Sequence, residues 1–368
     1  MFAYFSILSL LTAFLIFTTW KNKEYKKSYI LYFIFVFIIF YTPSIYFLLG
    51  GETYHYFSDK TLQHYMLYSS IIIFFNIVAL YIKKTKLVPL LNEKLIKNIF
   101  TKNTNKYHII YFGIIVSVVF TYIALYFYRF PLVSYLFFGN LLERPDVTGN
   151  IPHFYTFSTF MGTIVPSFYF YYFDKIKKNY IHILSVIIII ILMTIGGHKG
   201  IVAFFAIFYW IVIYKGKINY KLPLIILLLI VIYAVTKGVN KLNIETFQYL
   251  LDSPTRRFFV TQGTCFIYRI HAMDVNYIFD ATIPIKNQLC DIMNDGKGFG
   301  CSAPTFFIGD LIIKYGYIIA TIIYTFSLYI IIVLIKNIDY FLKNNYFLLW
   351  SLFSIFYLMG MAEISIYS

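Results

Sequence analysis

"IHILSVIIIIILMTIGGHKGIVAFFAIFYWIVIY", residues 181–214, decides the fold. Two apolar runs meet at a turn in which three glycines bracket His198 and Lys199. Read as spans over 180–195 and 201–214, they reach about 24 and 21 Å, short of the ~30 Å hydrocarbon core of a bilayer. The turn then lies below the outer surface, or the bilayer thins around it. A charge at bilayer depth costs ~2.5–3.5 kcal/mol or more unless it faces a polar cavity. Lys199 can snorkel, and the glycines leave backbone N–H groups open at the start of the next helix. Glycines, His, Lys and a helix N-terminus together make an anion site. A plain tight hairpin is the alternative. The spacing is not that of a Walker P-loop.

Working outward, the whole chain has this character. It is 60% hydrophobic and 13% charged, with mean hydropathy +0.73. Apolar stretches of membrane-spanning length recur throughout, which excludes a soluble domain and predicts an all-α polytopic membrane protein. We read ten spans: 2–20, 29–49, 62–82, 107–128, 153–173, 180–195, 201–214, 222–236, 316–335 and 344–362. Lysines follow the first apolar stretch rather than precede it, so no cleavable signal peptide is expected. The division is 1–236 for eight spans, 237–315 for a helical exoplasmic loop domain, and 316–368 for the last two spans.

Charge sets the orientation. The loops "KNKEYKK", "KKTKLVPLLNEKLIKNIFTKNTNK", "DKIKK", "KGKINYK" and "KNIDYFLK" alternate with lysine-poor loops. The positive-inside rule makes these five cytoplasmic. They hold 19 Lys and 4 acids, which is the entire net charge of +15; the outer side balances 7 Lys and 5 Arg against 12 acids. The basic charge therefore reports membrane topology, not nucleic-acid binding. All five arginines lie outside: Arg129, Arg144, Arg256, Arg257 and Arg269. Arginine is the better group for bidentate phosphate binding.

All three cysteines, Cys265, Cys290 and Cys301, fall in or under the long outer loop. Cys290 and Cys301 flank a turn-rich stretch that permits a bridge in an oxidising compartment. Cys265 sits in a helical pattern as a buried thiol. "DSPTRR" reads as a helix start, with Asp252 or Ser253 as N-cap, Pro254 in the first turn and Arg256–Arg257 beside it. There the helix N-terminus also favours an anion. In "TCFIYRIHAMDVNYIF", Thr264, Tyr268, His271 and Asp274 share one face, with Arg269 alongside. This face is either solvated or functional. In "SAPTFFIGDLIIKYG", Asp310 and Lys314 form an i,i+4 pair on a helix lying at the outer surface before the ninth span. Either this is a structural ion pair or Asp310 orients a substrate hydroxyl or a base.

Metalloprotease, serine-hydrolase, EF-hand and CxxC patterns are absent, and the first outer loop "GGETYHYFSDK" has no acidic pair of the kind metal-using lipid-dependent glycosyltransferases carry. No metal and no cofactor is expected. Charges deep in the spans are scarce, which argues against an ion-coupled pump. What remains is an outward-facing cluster of Arg, Lys and His beside carboxylates and aromatic rings. Such a cluster suits a pyrophosphate leaving group, sugar stacking and deprotonation of an acceptor hydroxyl.

The "GGHKG" turn, the outer loop with "RRFF" and "SAPTFFIGDLIIKYG" before a late span together resemble the O-antigen (oligosaccharide repeat-unit) polymerases of the Wzy family, with their ten to twelve spans. His198–Lys199 stands where relatives often carry an arginine. The resemblance implies a fold similar to the O-antigen ligase and SEDS glycosyltransferases. It implies metal-independent transfer of the growing glycan from undecaprenyl pyrophosphate to an incoming lipid-linked repeat unit, at the periplasmic face of the bacterial cytoplasmic membrane. Donor and acceptor are both undecaprenyl-pyrophosphate-linked oligosaccharides. Membrane lipid and a chain-length regulator protein are the other partners, and nucleic acid is not one. By the same resemblance, Arg256 and Arg257, with His198, Lys199 and Arg269, bind pyrophosphate. Tyr268, Lys314 and Arg129 contact substrate. His271 is the first choice for the base, with Asp274 or Asp310 as the second. An O-antigen ligase or a lipid-linked oligosaccharide flippase is the alternative.

Overall fold

The computed structural model describes residues 1–21, 27–50, 57–87, 89–90, 105–139, 150–176, 181–194, 202, 205–206, 208–210, 260, 262–280, 282–283, 285, 288–289, 292, 308–341 and 346–361. Among these residues every regular element is helical, as the apolar pattern predicts. The helices are α1 (Phe2–Lys21), α2 (Lys27–Phe40), α3 (Thr42–Leu48), α4 (Asp59–Lys84), α5 (Asn105–Leu125), α6 (Pro131–Phe138), α7 (Phe154–Ile176), α8 (Ile181–Thr194), α9 (Gln262–Asp274), α10 (Ile308–Phe341) and α11 (Tyr346–Met361). Three are long and apolar enough to cross a membrane: Phe2–Thr19 in α1, α4, and Ile308–Asn337 in α10. Shorter apolar helical stretches run over Tyr32–Leu48 (α2 and α3), Gly113–Leu125 and His182–Met193. The expected span 222–236 and most of 201–214 lie outside the described residues.

One expected span is broken and one long helix is interrupted, each for a backbone reason. Span 29–49 is two helices, α2 and α3, separated at Tyr41, with Pro43 in the first turn of α3. Proline has no N–H to give and crowds the preceding turn, so it starts helices more readily than it continues them. α10 is interrupted at Gly316, with φ 75° and ψ 172°, a conformation that suits glycine. The interruption coincides with the division the sequence makes at residue 316 between the preceding helix and the ninth span.

The chain forms two compact units. The first comprises Met1–Leu90, Thr255–Lys343 and Leu352–Ser368, and α4 is its centre. α4 packs against α1, α2, α9 and α10. Its ends suit the helix dipole: the Ser58 hydroxyl accepts from Thr61 N–H at 3.2 Å, Asp59 lies in the first turn, and Lys83 and Lys84 lie in the last. Inside, polar side chains bond across helices as they do in lipid-embedded bundles. Asn76 donates to the Tyr324 hydroxyl at 2.8 Å, which lies 3.1 Å from the Tyr32 hydroxyl. Tyr65 donates to the Ile39 carbonyl at 2.8 Å.

α9 belongs to this first unit, buried against α2, α3, α4 and α10. Within the expected loop domain 237–315, α9 is thus packed in the first unit, whereas Val275, Tyr277, Ile278 and Ile283 just after it are exposed. Gly263 allows the close approach: a Cβ there would meet Pro43 Cγ at 2.1 Å and the Ile39 carbonyl oxygen at 2.7 Å.

The second unit comprises Leu91–Pro254 and Asn344–Ser351. Here Trp350 Nε1 donates to the Thr163 carbonyl at 2.9 Å, and its ring packs among Phe170, Phe205 and Phe208. His182 is buried between two tyrosines. Its Nδ1 meets the Tyr169 hydroxyl at 2.8 Å, Tyr169 donates to the Tyr209 hydroxyl at 3.4 Å, and Tyr209 bonds Nε2. The three groups close a ring of hydrogen bonds that holds the buried imidazole in place.

Candidate functional site

The site is built on α4, α9 and α10 of the first unit. Successive turns of α4 place His64 and Tyr68 on one face, and successive turns of α10 do the same for Tyr317 and Thr321. α9 ends at Asp274 between them. His64 Nδ1 lies 2.7 Å from Asp274 Oδ1. With Asp274 as a carboxylate, Nδ1–H is the donor, and the lone pair of neutral histidine is left on Nε2. The His64 side chain is 40% exposed and that of Asp274 is 11% exposed. This is a partly open imidazole held by a nearly buried acid.

Two further polar atoms belong to the same place. Among the described residues, Asp274 Oδ2 and the Tyr317 hydroxyl are buried with no hydrogen-bond partner. The Asp274 charge acts on that hydroxyl. The Tyr317 ring meets Tyr68 edge-on at 5.1 Å, and the Tyr68 hydroxyl lies 2.8 Å from that of Thr321. Buried orphan donors and acceptors are costly, and they concentrate where a ligand completes them.

The expected site residues divide. Asp274 is in the pair. His271, one turn earlier on α9, sets its ring at 6.2 Å from Phe57 in an edge contact. Tyr268 is 1% exposed and packs on the same Phe57 at 4.7 Å. Arg269 is also 1% exposed. Its Nε and Nη2 each lie 2.8 Å from Asp310 Oδ1, and Nη1 donates to the Cys265 carbonyl at 3.0 Å. The face drawn through Thr264 and Tyr268 is therefore interior rather than solvated. Asp310 takes Arg269 rather than Lys314, which is exposed. The physical reason is desolvation: a buried guanidinium must be paired, whereas an exposed ammonium is satisfied by water. Arg269 and Asp310 thus neutralise one another and tie α9 to α10.

Arg129, in the second unit, is exposed and donates to the Asn150 carbonyl at 2.7 Å. Cys265 is buried, as expected. Arg256, Arg257, His198, Lys199, Cys290 and Cys301 lie outside the described residues.

His64 is the residue that sequence reasoning missed. A histidine in the first turns of an apolar span is a cue, but His182 occupies the same kind of position and is held between two tyrosines. The partner of His64 is 210 residues away.

No family model, curated protein or solved structure matches the chain.

Proposed function

We propose that this chain is an oligosaccharide repeat-unit polymerase of O-antigen type, a metal-independent, lipid-pyrophosphate-dependent glycosyltransferase. It acts at the periplasmic face of the bacterial cytoplasmic membrane with ten spans and a fold like that of the O-antigen ligases. The observation that carries this reading is the His64–Asp274 pair at one end of α4. Lys83 and Lys84 open the most lysine-rich loop at the other end. The positive-inside rule puts that loop in the cytoplasm, so His64 is outward, about 7.5 Å along the helix from Asp59.

In the proposed reaction, Nε2 of His64 takes the proton from an acceptor sugar hydroxyl as its oxygen attacks the donor's anomeric carbon. A glycosidic C–O bond forms. The bond to the pyrophosphate oxygen breaks, and the pyrophosphate leaves with the electron pair. Asp274 holds the ring and stabilises the imidazolium that develops. Arg256, Arg257, His198 and Lys199 remain the residues proposed from the sequence to hold the pyrophosphate. Lys314 is exposed close by in sequence to Tyr317. Arg269 and Asp310 keep the α9–α10 contact that sets the position of Asp274.

Deletion of the gene tests the reading. Loss of the lipopolysaccharide ladder with survival of a single-repeat band supports a polymerase. Loss of every O-antigen band points to a ligase or flippase, and an unchanged ladder overturns the proposal.

A further inference from the structure

A groove of about 720 Å3 runs between α4 and α10. Tyr68, Ile71 and Phe75 line it from α4, and Tyr317, Ile322 and Phe326 from α10. The α4 residues recur at i, i+3 and i+7 on one helical face. Along α10 the lining extends from Tyr317 to Tyr329, about 18 Å at 1.5 Å per residue, more than half the hydrocarbon thickness of a bilayer. Ile322 and Phe326 are 63% and 64% exposed, so the groove is open along its length.

The polar groups of the walls are not spread evenly in their needs. Thr321 and Tyr68 satisfy one another, and Thr325 donates to the Thr321 carbonyl at 2.8 Å. The orphan is the Tyr317 hydroxyl, at the end of the lining where Asp274 acts on it. One residue thus belongs both to the apolar groove and to the surroundings of the His64–Asp274 pair. A molecule with a long hydrocarbon chain and a polar head fits that combination.

We infer that the α4–α10 groove holds the isoprenoid tail of the donor, the lipid-pyrophosphate-linked glycan, with its pyrophosphate end at Tyr317; this rests on the polymerase reading. Chain geometry selects the donor. In the donor only the pyrophosphate separates the tail from the reacting anomeric carbon. In the acceptor the repeat unit itself intervenes between the tail and the reacting hydroxyl. A groove whose lining begins at Tyr68, one turn along α4 from His64, therefore matches the donor. The Tyr317 O–H can donate to a phosphate oxygen, and Lys314, three residues earlier and exposed, supplies a cation. Asp274 Oδ2 as a carboxylate oxygen only accepts, so it suits a sugar hydroxyl. A phospholipid acyl chain would fit the same walls, but it has no reacting group to bring to His64.

The full-length protein in phosphatidylethanolamine–phosphatidylglycerol nanodiscs provides the test. The probe is polyprenyl pyrophosphate with a photoreactive group in its tail. The expected result is saturable labelling of 68–75 and 318–326, displaced by unlabelled polyprenyl pyrophosphate and not by added phospholipid. Ile322→Trp should lower that labelling about tenfold, whereas Ile319→Trp, on the same helix outside the groove lining, should not. Labelling that phospholipid displaces equally would make the groove an ordinary lipid contact and overturn the inference. Saturable labelling confined to other helices would overturn the groove while leaving the polymerase reading in place. No saturable binding anywhere would remove both.

Discussion

Gly263→Ala is a one-carbon perturbation far in sequence from His64 with a calculable reach. The added Cβ would stand 2.1 Å from Pro43 Cγ and 2.7 Å from the Ile39 carbonyl oxygen. Carbon atoms in contact sit at ~3.5–4.0 Å, so α9 and α3 must part by roughly 1.4 Å. The Ile39 oxygen is backbone and already accepts from Tyr65, which limits how far that side can yield. Overpacking of this kind costs about 1–3 kcal/mol. The same displacement, carried along α9 to Asp274, exceeds the slack in a 2.7 Å hydrogen bond, which is lost beyond about 3.5 Å. Misplacement by ~1 Å costs about 10²-fold in rate. The variant should therefore melt earlier in detergent and make a shortened or absent glycan ladder while still being produced. Pro43→Ala in the same chain removes the nearest contact and should restore part of both losses, a non-additive result. A Gly263→Ala protein with wild-type melting and a full ladder would refute the close packing and its link to Asp274.

Other expectations follow from the same geometry. Arg269→Met leaves Asp310 without its partner and should cost about 1–3 kcal/mol in thermal unfolding, less than a fully buried pair because Asp310 is 32% exposed. Adding Asp310→Leu should recover most of it. His182→Phe opens the hydrogen-bonded ring of Tyr169 and Tyr209 and should lower stability by ~1–3 kcal/mol without changing glycan length.

The architecture was legible wherever it rests on local pattern. Apolar runs gave the helices, and the glycine at 316 marked the interruption of α10 because its backbone takes a φ that other residues resist. The lone Pro43 signalled that span 29–49 is two pieces, a signal that hydropathy alone overrides. The site was less legible, because it depends on which distant faces meet. Arg269 was expected as an outward pyrophosphate ligand, and only its partner on α10 makes its burial tolerable. Asp274 was a candidate from its helical face, but the histidine facing it came from the third expected span. The one local clue to the α9 packing was Gly263, since a glycine inside a helix of apolar residues marks a close approach.

Polymerisation by the purified full-length protein in nanodiscs, supplied with a lipid-linked repeat unit and a chelator, tests the central claim most directly. Wild-type protein should extend the glycan under these conditions. His64→Ala should slow extension by about 10²–10⁴-fold, the usual worth of a general base, while still binding the lipid-linked unit. A His64→Ala protein that extends glycan at the wild-type rate would contradict the assignment of the His64–Asp274 pair.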